Sequence, residues 1–409
     1  MPDYQTSAAT RVAIQEETVR GTKATDSSGS AKQLRIFQSP GIDPERTPIE
    51  SEENRADGVR AMGRMGSWKP TASYNGPVTV GGAMDDVFRA IMRAAWTASA
   101  AITNTQMTSI TTTSNTIIAF AGSWLTQGVR VGDVVRLTGH ATAANNDKNL
   151  RVIGVTTSTL TVAGTGTTAA TPLTADAVAD SSFTLTVLKH LVTGATPLSI
   201  THTIDQNGTV IDQSLVGVGF RVTGLRISAQ PDQPVTYTLT YAGMGVEVLT
   251  TAQSPYFTDP TVTTGLFLAL NNAVLRYNGA DIANFTGFDL NFELPSDTVA
   301  VGGSDTSPDV FPSTLRVSGS ITMLRSSLAN LTLQAAETEF ELHMLLEEPV
   351  ALPRPCLGLF LGRVKVRKAN ADAGGGTGPL VETVDLMVGP RDAATGYDAS
   401  VATISSSAA

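Results

Sequence analysis

VGFRVTGLRISAQPDQPVTYTLTYAGMG, residues 218–245, reads as two strands joined by a turn at Gln-Pro-Asp. In its second half Val235, Tyr237, Leu239 and Tyr241 alternate with Thr236, Thr238 and Thr240. One face is apolar and the other carries hydroxyls, as in a sheet packed on one side and wet on the other. Short runs of Thr, Ala, Val, Ser and Gly between Gly, Pro, Asn and Asp recur along the 409 residues, and the fold is predicted to be mainly β.

The same order of elements occurs again. LFLGRVKVRKANADAGGGTGPLVETVDLMVG (359–389) matches residues 218–245, and the strands just before each, LSITHTI (198–204) and EFELHMLLE (339–347), place His202 and His343 at corresponding points. Upstream, QLRIFQSPGIDPERTPIESEENR (33–55) leads through GSWKPTASYNGPVTV to AMDDVFRAIMRAAW (83–96). VLRYNGADIANFTGFDLNFELPSD (274–297) leads through STLRVSGSITM to SSLANLTLQAA (326–336), with Leu275 and Arg276 in the places of Leu34 and Arg35. Met84, Val87, Phe88, Ile91, Met92, Ala95 and Trp96 fall at helical spacing, with Asp85 and Asp86 in the first turn. These matches predict two tandem β-sandwich or barrel domains, each with one packed helix.

Only the first copy has about a hundred residues between its helix and the next strand. NTIIAFA, VGDVVRLTG, NLRVIGVTTSTLTVAG and SSFTLTVLKH read there as five short strands of an inserted small β-barrel or Ig-like domain, with a flexible loop at 164–182. The expected division is 1–98 with 190–265 for the first domain, 99–189 for the insert and 266–409 for the second. The N-terminal dozen residues and the terminal SSSAA are expected to be disordered in a free subunit.

Residues for chemistry are sparse. The four histidines, His140, His190, His202 and His343, are scattered, and none has the spacing of a zinc motif. AGGGTGP (373–379) lacks the Lys-Ser/Thr of a phosphate loop and reads as a turn between strands. Asp85/Asp86 and Glu347/Glu348 are consecutive and cannot converge on one substrate; they read as solvated faces and helix starts. No catalytic, cofactor or metal residues are predicted. The lone Cys356 reads as a small buried residue. A net charge of −9 without a basic tract disfavours sequence-specific grip on nucleic acid. MPDYQTSAATR has no signal-peptide character and no run nears the ~20 apolar residues of a membrane span, so folding in a cytoplasm is expected.

Taken in order, EETVRGTKA (16–24), LRIFQSPGI, IESEENRADG, GSWKPTASYNGPV and the helix ending in AAW resemble the major tail tube protein of long-tailed bacteriophages with non-contractile tails. The resemblance implies a structural virion protein without enzymatic activity, whose rings stack into a hollow tube. It also implies a tape measure protein in the lumen, tail terminator and tail tip proteins as neighbours, and DNA passing through without specific binding. The insert resembles domains that decorate the outside of such tubes. Two equivalent domains per chain would make three chains a pseudo-sixfold ring; a ring of six chains is the alternative.

IESEENRADGVR (49–60) falls in a long polar connection, and LPSDTVAVGGSDTSPDVF (294–311) takes its place in the second copy. Loops of that length in a compact domain are functional or disordered. Glu50, Glu52, Glu53, Arg55, Asp57 and Arg60 are the candidates for a mixed-sign joint between stacked rings, with apolar contacts supplying much of the adhesion. An adhesive or carbohydrate-binding tail module is the alternative function, resting on Phe120 and Trp124 as aromatic platforms in the insert.

Overall fold

The computed structural model describes the chain except residues 1–8, 28, 54–55, 165–170, 194–196, 209–212, 251–252, 371–377, 392–393, 399 and 409. The fold is mainly β, with two α-helices among the described residues. A first set of elements comprises β1 (Thr10–Glu16), β2 (Lys32–Leu34), β3 (Gly41–Asp43), β4 (Arg46–Ile49), β5 (Arg64–Trp68), β6 (Thr71–Pro77) and helix α1 (Ala83–Met92). Then come β7 (Ala100–Thr103), β8 (Ser109–Thr112), β9 (Thr116–Phe120), β10 (Val134–Thr138), β11 (Leu150–Val155), β12 (Thr159–Ala163), β13 (Asp176–Asp180) and β14 (Thr184–Val187). The first set resumes with β15 (Lys189–Val192), β16 (His202–Gly208), β17 (Gln213–Ala229), β18 (Thr236–Ala242) and β19 (Gly245–Thr250). A second set follows: β20 (Ala273–Tyr277), β21 (Ala280–Ile282), β22 (Phe285–Glu293), β23 (Ser296–Thr298), β24 (Val310–Pro312), β25 (Arg316–Leu324), α2 (Ala329–Ala335), β26 (Phe340–Glu347), β27 (Cys356–Ala369), β28 (Val381–Val388) and β29 (Thr403–Ser406).

The strand pairings of the first set recur in the second. β1 lies between β2 and β16 as β20 lies between β21 and β26. β16–β17–β18–β6–β3 is matched by β26–β27–β28–β25–β22. The hairpin β4–β5 is matched by β23–β24. His202 pairs across with Phe220 and His343 with Phe360, so both histidines occupy corresponding places. One residue match shifts: Leu275 and Arg276 lie in β20, the counterpart of β1, whereas Leu34 lies in β2. Both stretches contain a short strand and a leucine followed by an arginine, so their sequences match although their places differ.

Alternation sets the faces as the spacing requires: Tyr237, Leu239 and Tyr241 are buried and Thr238 is exposed. Each fully buried large side chain contributes ~1.5–3 kcal/mol, and the shared core runs through both sets from Ile14 and Phe88 to Phe292, Leu359 and Ile404. Helix α1 stops at Met92 rather than Trp96 because Arg93 turns left-handed (φ 54°) and returns its N–H to the Arg89 carbonyl.

Residues 100–187 form their own antiparallel sheet, in the order β13-β8-β9-β12-β11-β10-β14-β7, around Trp124, Leu137, Leu160 and Leu185. It has eight strands rather than five, because Ala100–Thr103, Ser109–Thr112 and Asp176–Asp180 carry too little apolar alternation to be read as strands. Of the expected loop at 164–182, residues 165–170 lie outside the described residues, and 176–180 pair with β8. Of the chain ends expected to be disordered, residues 1–8 and 409 lie outside the described residues; β1 begins at Thr10, and Ser405 and Ser406 are buried in β29 against β15 and β27. The carboxylates read as solvated are largely buried. Asp85 meets Lys189 at 2.8 Å, Asp86 meets Lys32 at 2.9 Å, and Glu347 takes Asn149 Nδ2 at 2.7 Å.

Candidate assembly surfaces

Eight strands, β3-β6-β18-β17-β22-β25-β28-β27, make one continuous antiparallel face, four from each set. Leu225, Leu239, Leu290, Ile321 and Leu386 point to the core. Asn75, Thr238, Asn291, Ser318, Ser320 and Thr383 alternate with the core residues and line the other face, which is dominated by hydroxyls and amides. The two sets join where Gly224–Ala229 of β17 pairs with Phe288–Glu293 of β22. Arg226 and Asp289 form an ion pair across this join, and the carboxylate holds the guanidinium pKa above its usual value.

The face has two ends that lack such a neighbour. β26 and β22 flank the same side of the respective long strands, and β27 beyond Val364 has no strand there among the described residues. Instead Gln334 of α2 lies along it: its Nε2 donates to the Arg367 carbonyl at 3.1 Å and its Oε1 accepts the Ala369 N–H at 3.3 Å. At the opposite end β3 pairs, among the described residues, with β6 alone. There Gln206 Oε1 accepts the Ile42 N–H at 3.1 Å. The β27 edge carries Lys365, Arg367 and Lys368, and β3 carries Asp43 with Glu45 just beyond.

The expected joint loop is the tip of the β4–β5 hairpin. Glu50 and Arg60 pair at 2.8 Å in the open, Asp57 Oδ1 accepts the Val59 N–H, and Glu52 and Glu53 are exposed. Arg55 lies outside the described residues. Among the described residues the structure thus brings Glu50 and Arg60 together with each other. Beside these charges lies an apolar feature: Ile49, Val59, Met62 and Met65 are all exposed, Met62 at 93%. The signal for it is AMGRMG, two apolar residues three apart among glycines with no strand or helix period.

The two hairpins touch. The Trp68 N–H donates to the Asp305 carbonyl at 2.8 Å, and Arg46 stacks over Trp68. Asp309, just ahead of β24, takes both Arg20 and Arg221. The EETVRGTKA segment explains itself here: the Glu17 carboxylate is buried and accepts four hydrogen bonds, from Gly21, Thr201, Thr203 and Gly219, which holds Arg20 against the second hairpin.

The sheet of residues 100–187 leaves the chain after α1 yet packs on the second set. Arg151 is buried and bonded to Asp281 at 3.0 Å, Asn149 reaches Glu347, and Val131 donates to the Gly396 carbonyl. Gly132 lies so close to Phe360 that a Cβ there would come within 2.3 Å of the ring, at a φ of +97°. Trp124 is fully buried with its Nε1 on the Ser158 carbonyl, so of the two aromatic candidates only Phe120 is exposed.

Buried titratable groups elsewhere are structural in their surroundings. His202 packs edge-on to Tyr241 and His343 to Phe360, and neither ring has a hydrogen-bond partner. Burial lowers both, His202 to about 4. Cys356 is buried as expected, its thiol pushed up to about 12. Among the described residues no three His, Cys, Asp or Glu are grouped to hold a metal, and no helix is long and apolar enough to cross a membrane.

No curated protein matches the chain. A family described as phage tail tube protein matches residues 7–388, nearly the whole length. The chain therefore belongs to the phage tail tube protein family, and its role is that of a structural component of the virion tail.

Proposed function

We propose that three copies close into a ring by repeating between chains the join that already exists within one. The observation that carries this reading is the β17–β22 ladder: the end of one set's sheet meets the start of the next, and each chain has one further end and one further start. The β27 edge of one copy would pair with β3 of the next, its lysines and arginine meeting Asp43 and Glu45. Gln334 and Gln206 would give up the backbone groups they now hold, since their amides stand in for the peptide groups of a neighbouring strand. Heterologous contacts that close remove both open ends of this sheet. The division 1–98 with 190–265, 99–189 and 266–409 is part of this reading, with the inserted sheet outside the tube.

The hydroxyl and amide face of the eight-stranded sheet would line the bore. Its charges occur largely in pairs of opposite sign, such as Arg226–Asp289 and Arg367–Asp385. A lining with few free cations displaces few counterions from DNA, so DNA slides rather than sticks. The tape measure protein would fill the bore before ejection, terminator and tip proteins would cap the ends, and no catalysis is involved. Assembly would take place in the host bacterial cytoplasm.

The hairpin tips would join rings, with Ile49, Val59, Met62 and Met65 supplying adhesion and Glu50, Glu52, Glu53, Arg55, Asp57 and Arg60 the register. Negative-stain electron microscopy with mass measurement across a concentration series tests the whole reading. Hollow tubes and rings of three chains are expected. Rings of six chains would discard the pseudo-sixfold argument, and a subunit that stays monomeric with its tape measure partner present would discard the tube.

A further inference from the structure

The two sets differ on their outer faces in a way that exposes a binding groove. In the first set, Ala13 of β1 alternates with the core residues Val12 and Ile14 and so faces outward. An extended strap covers this face. Phe257 is fully buried against Ala13, Ala24 and Ala31, Arg11 donates to the Phe257 carbonyl, and the Phe257 N–H is held by Asp205. A few residues on, the strap pairs with the edge of β2 in parallel: the Gln33 N–H donates to the Thr261 carbonyl at 2.9 Å and the Thr261 N–H to the Ala31 carbonyl at 2.8 Å.

In the second set β20 and β21 hold the places of β1 and β2, but no strap crosses them among the described residues. Val274, 9% exposed, and Arg276 face away from the core residues Leu275 and Tyr277, and the inserted sheet covers part of this side through Arg151 on Asp281. β21 pairs with β20 alone. Between this hairpin and the sheet of residues 100–187 lies a groove of about 900 Å³, in which Val274, Ile282, Phe285, Ile153 and Val162 supply apolar surface and Arg276 and Asp281 a charged margin. Apolar walls beside an open strand edge are the recognition mode of an added β-strand, in which the main chain gives affinity and a side-chain pocket gives selectivity.

We propose that this groove binds an extended polypeptide segment from another protein, which runs alongside β21 in parallel and buries one aromatic side chain against Val274, as Phe257 does on β1. The occupant's chemistry is fixed by the strap that fills the corresponding position: an aromatic anchor, then a short polar β-branched stretch, as in Tyr256–Thr263. The inference stands on the comparison of the two sets and does not depend on ring closure.

The probe is a labelled synthetic peptide with the sequence of residues 255–263 and a photoreactive phenylalanine at the position of Phe257, presented to the full-length protein. Saturable binding is expected, with crosslinks to peptides containing Ile153, Val162 or Val274. Replacing the anchor by alanine should weaken binding by about tenfold or more, as loss of a buried aromatic anchor does. Ala280→Arg with Ala283→Arg, at two exposed positions of the groove wall, should abolish it while leaving the melting curve unchanged. Absence of binding, crosslinks confined to β1 and β2, or binding indifferent to the alanine-to-arginine changes would each overturn the proposal.

Discussion

Arg226 and Asp289 approach to 2.6 Å across the ladder that joins the two halves of the chain. The arginine is mostly exposed, so the pair belongs to the class worth ~0.2–1 kcal/mol. Its use is in setting register: opposite charges favour this alignment of β17 on β22, and like charges oppose it. Asp289→Arg should lower the melting temperature by a few degrees in low salt, and adding Arg226→Asp should restore most of it. At about 1 M salt, where the Debye length is ~3 Å, the single variant's deficit should largely vanish. A deficit that is independent of salt would mean that packing, not charge, was disturbed.

The same electrostatics should govern contacts between chains. Asp43→Lys alone should block ring formation, as should Lys365→Glu combined with Arg367→Glu and Lys368→Glu. Mixing the two blocked proteins should produce open assemblies but no closed three-chain rings, because both kinds of mixed contact are complementary while a ring of three must include one contact between like variants. Recovery of full rings from either variant alone would remove the β3–β27 contact from consideration.

Gln334→Ala should shorten the lag of assembly seen by light scattering. It frees the Arg367 carbonyl and the Ala369 N–H for a neighbouring strand, at a cost to the isolated subunit of ~1 kcal/mol. Gln206→Ala should act alike at the other edge. Slower assembly would mean that the glutamines hold the edge in shape rather than shield it.

Met62→Ser with Met65→Ser, or deletion of residues 51–59, should leave rings intact and prevent tubes, as seen by electron microscopy and sedimentation. Neither change touches the core, since the methionines are exposed and the deletion lies at the hairpin tip. Normal tubes from the deletion would rule out this hairpin as the joint.

His202 makes the subunit acid-labile. Its pKa falls from an ordinary 6.5 to about 4 because burial disfavours the imidazolium; Asp86 favours it, and Arg89 and Lys32 oppose it. The unfolded chain therefore takes up a proton that the folded one refuses. Stability is complete above pH ~6.5 and is lost as the pH falls toward 4, on the order of 3 kcal/mol. Urea unfolding of His202→Leu should show a flatter dependence over that interval. An unchanged slope would place the proton uptake elsewhere.

The repeat was legible because strand alternation and the order of strands survive divergence: PVTYTLTYA and LVETVDLMV share period and position though few residues. The exposed methionines were masked by charge in the same loop, and the burial of Asp85 and Glu347 depends on partners a hundred or more residues away, Lys189 and Asn149. The outer strands of the inserted sheet escaped notice because Ala100–Thr103 and Asp176–Asp180 pair at its two edges with little apolar content. The glutamine amides on the sheet edges have no sequence signature at all; only the fold places Gln334 beside Arg367 and Ala369.

Carrying both sets of strands on one polypeptide changes the kinetics of building a ring. A six-unit circle drawn from separate units has six seams to make between chains; drawn from chains in which β17 is already laddered to β22, it has three. Every second contact is then intramolecular, formed at an effective concentration that no free subunit reaches in solution. In a ring of the proposed kind half of the seams would be made while the chain folds, so the concentration dependence of nucleation should be correspondingly shallower.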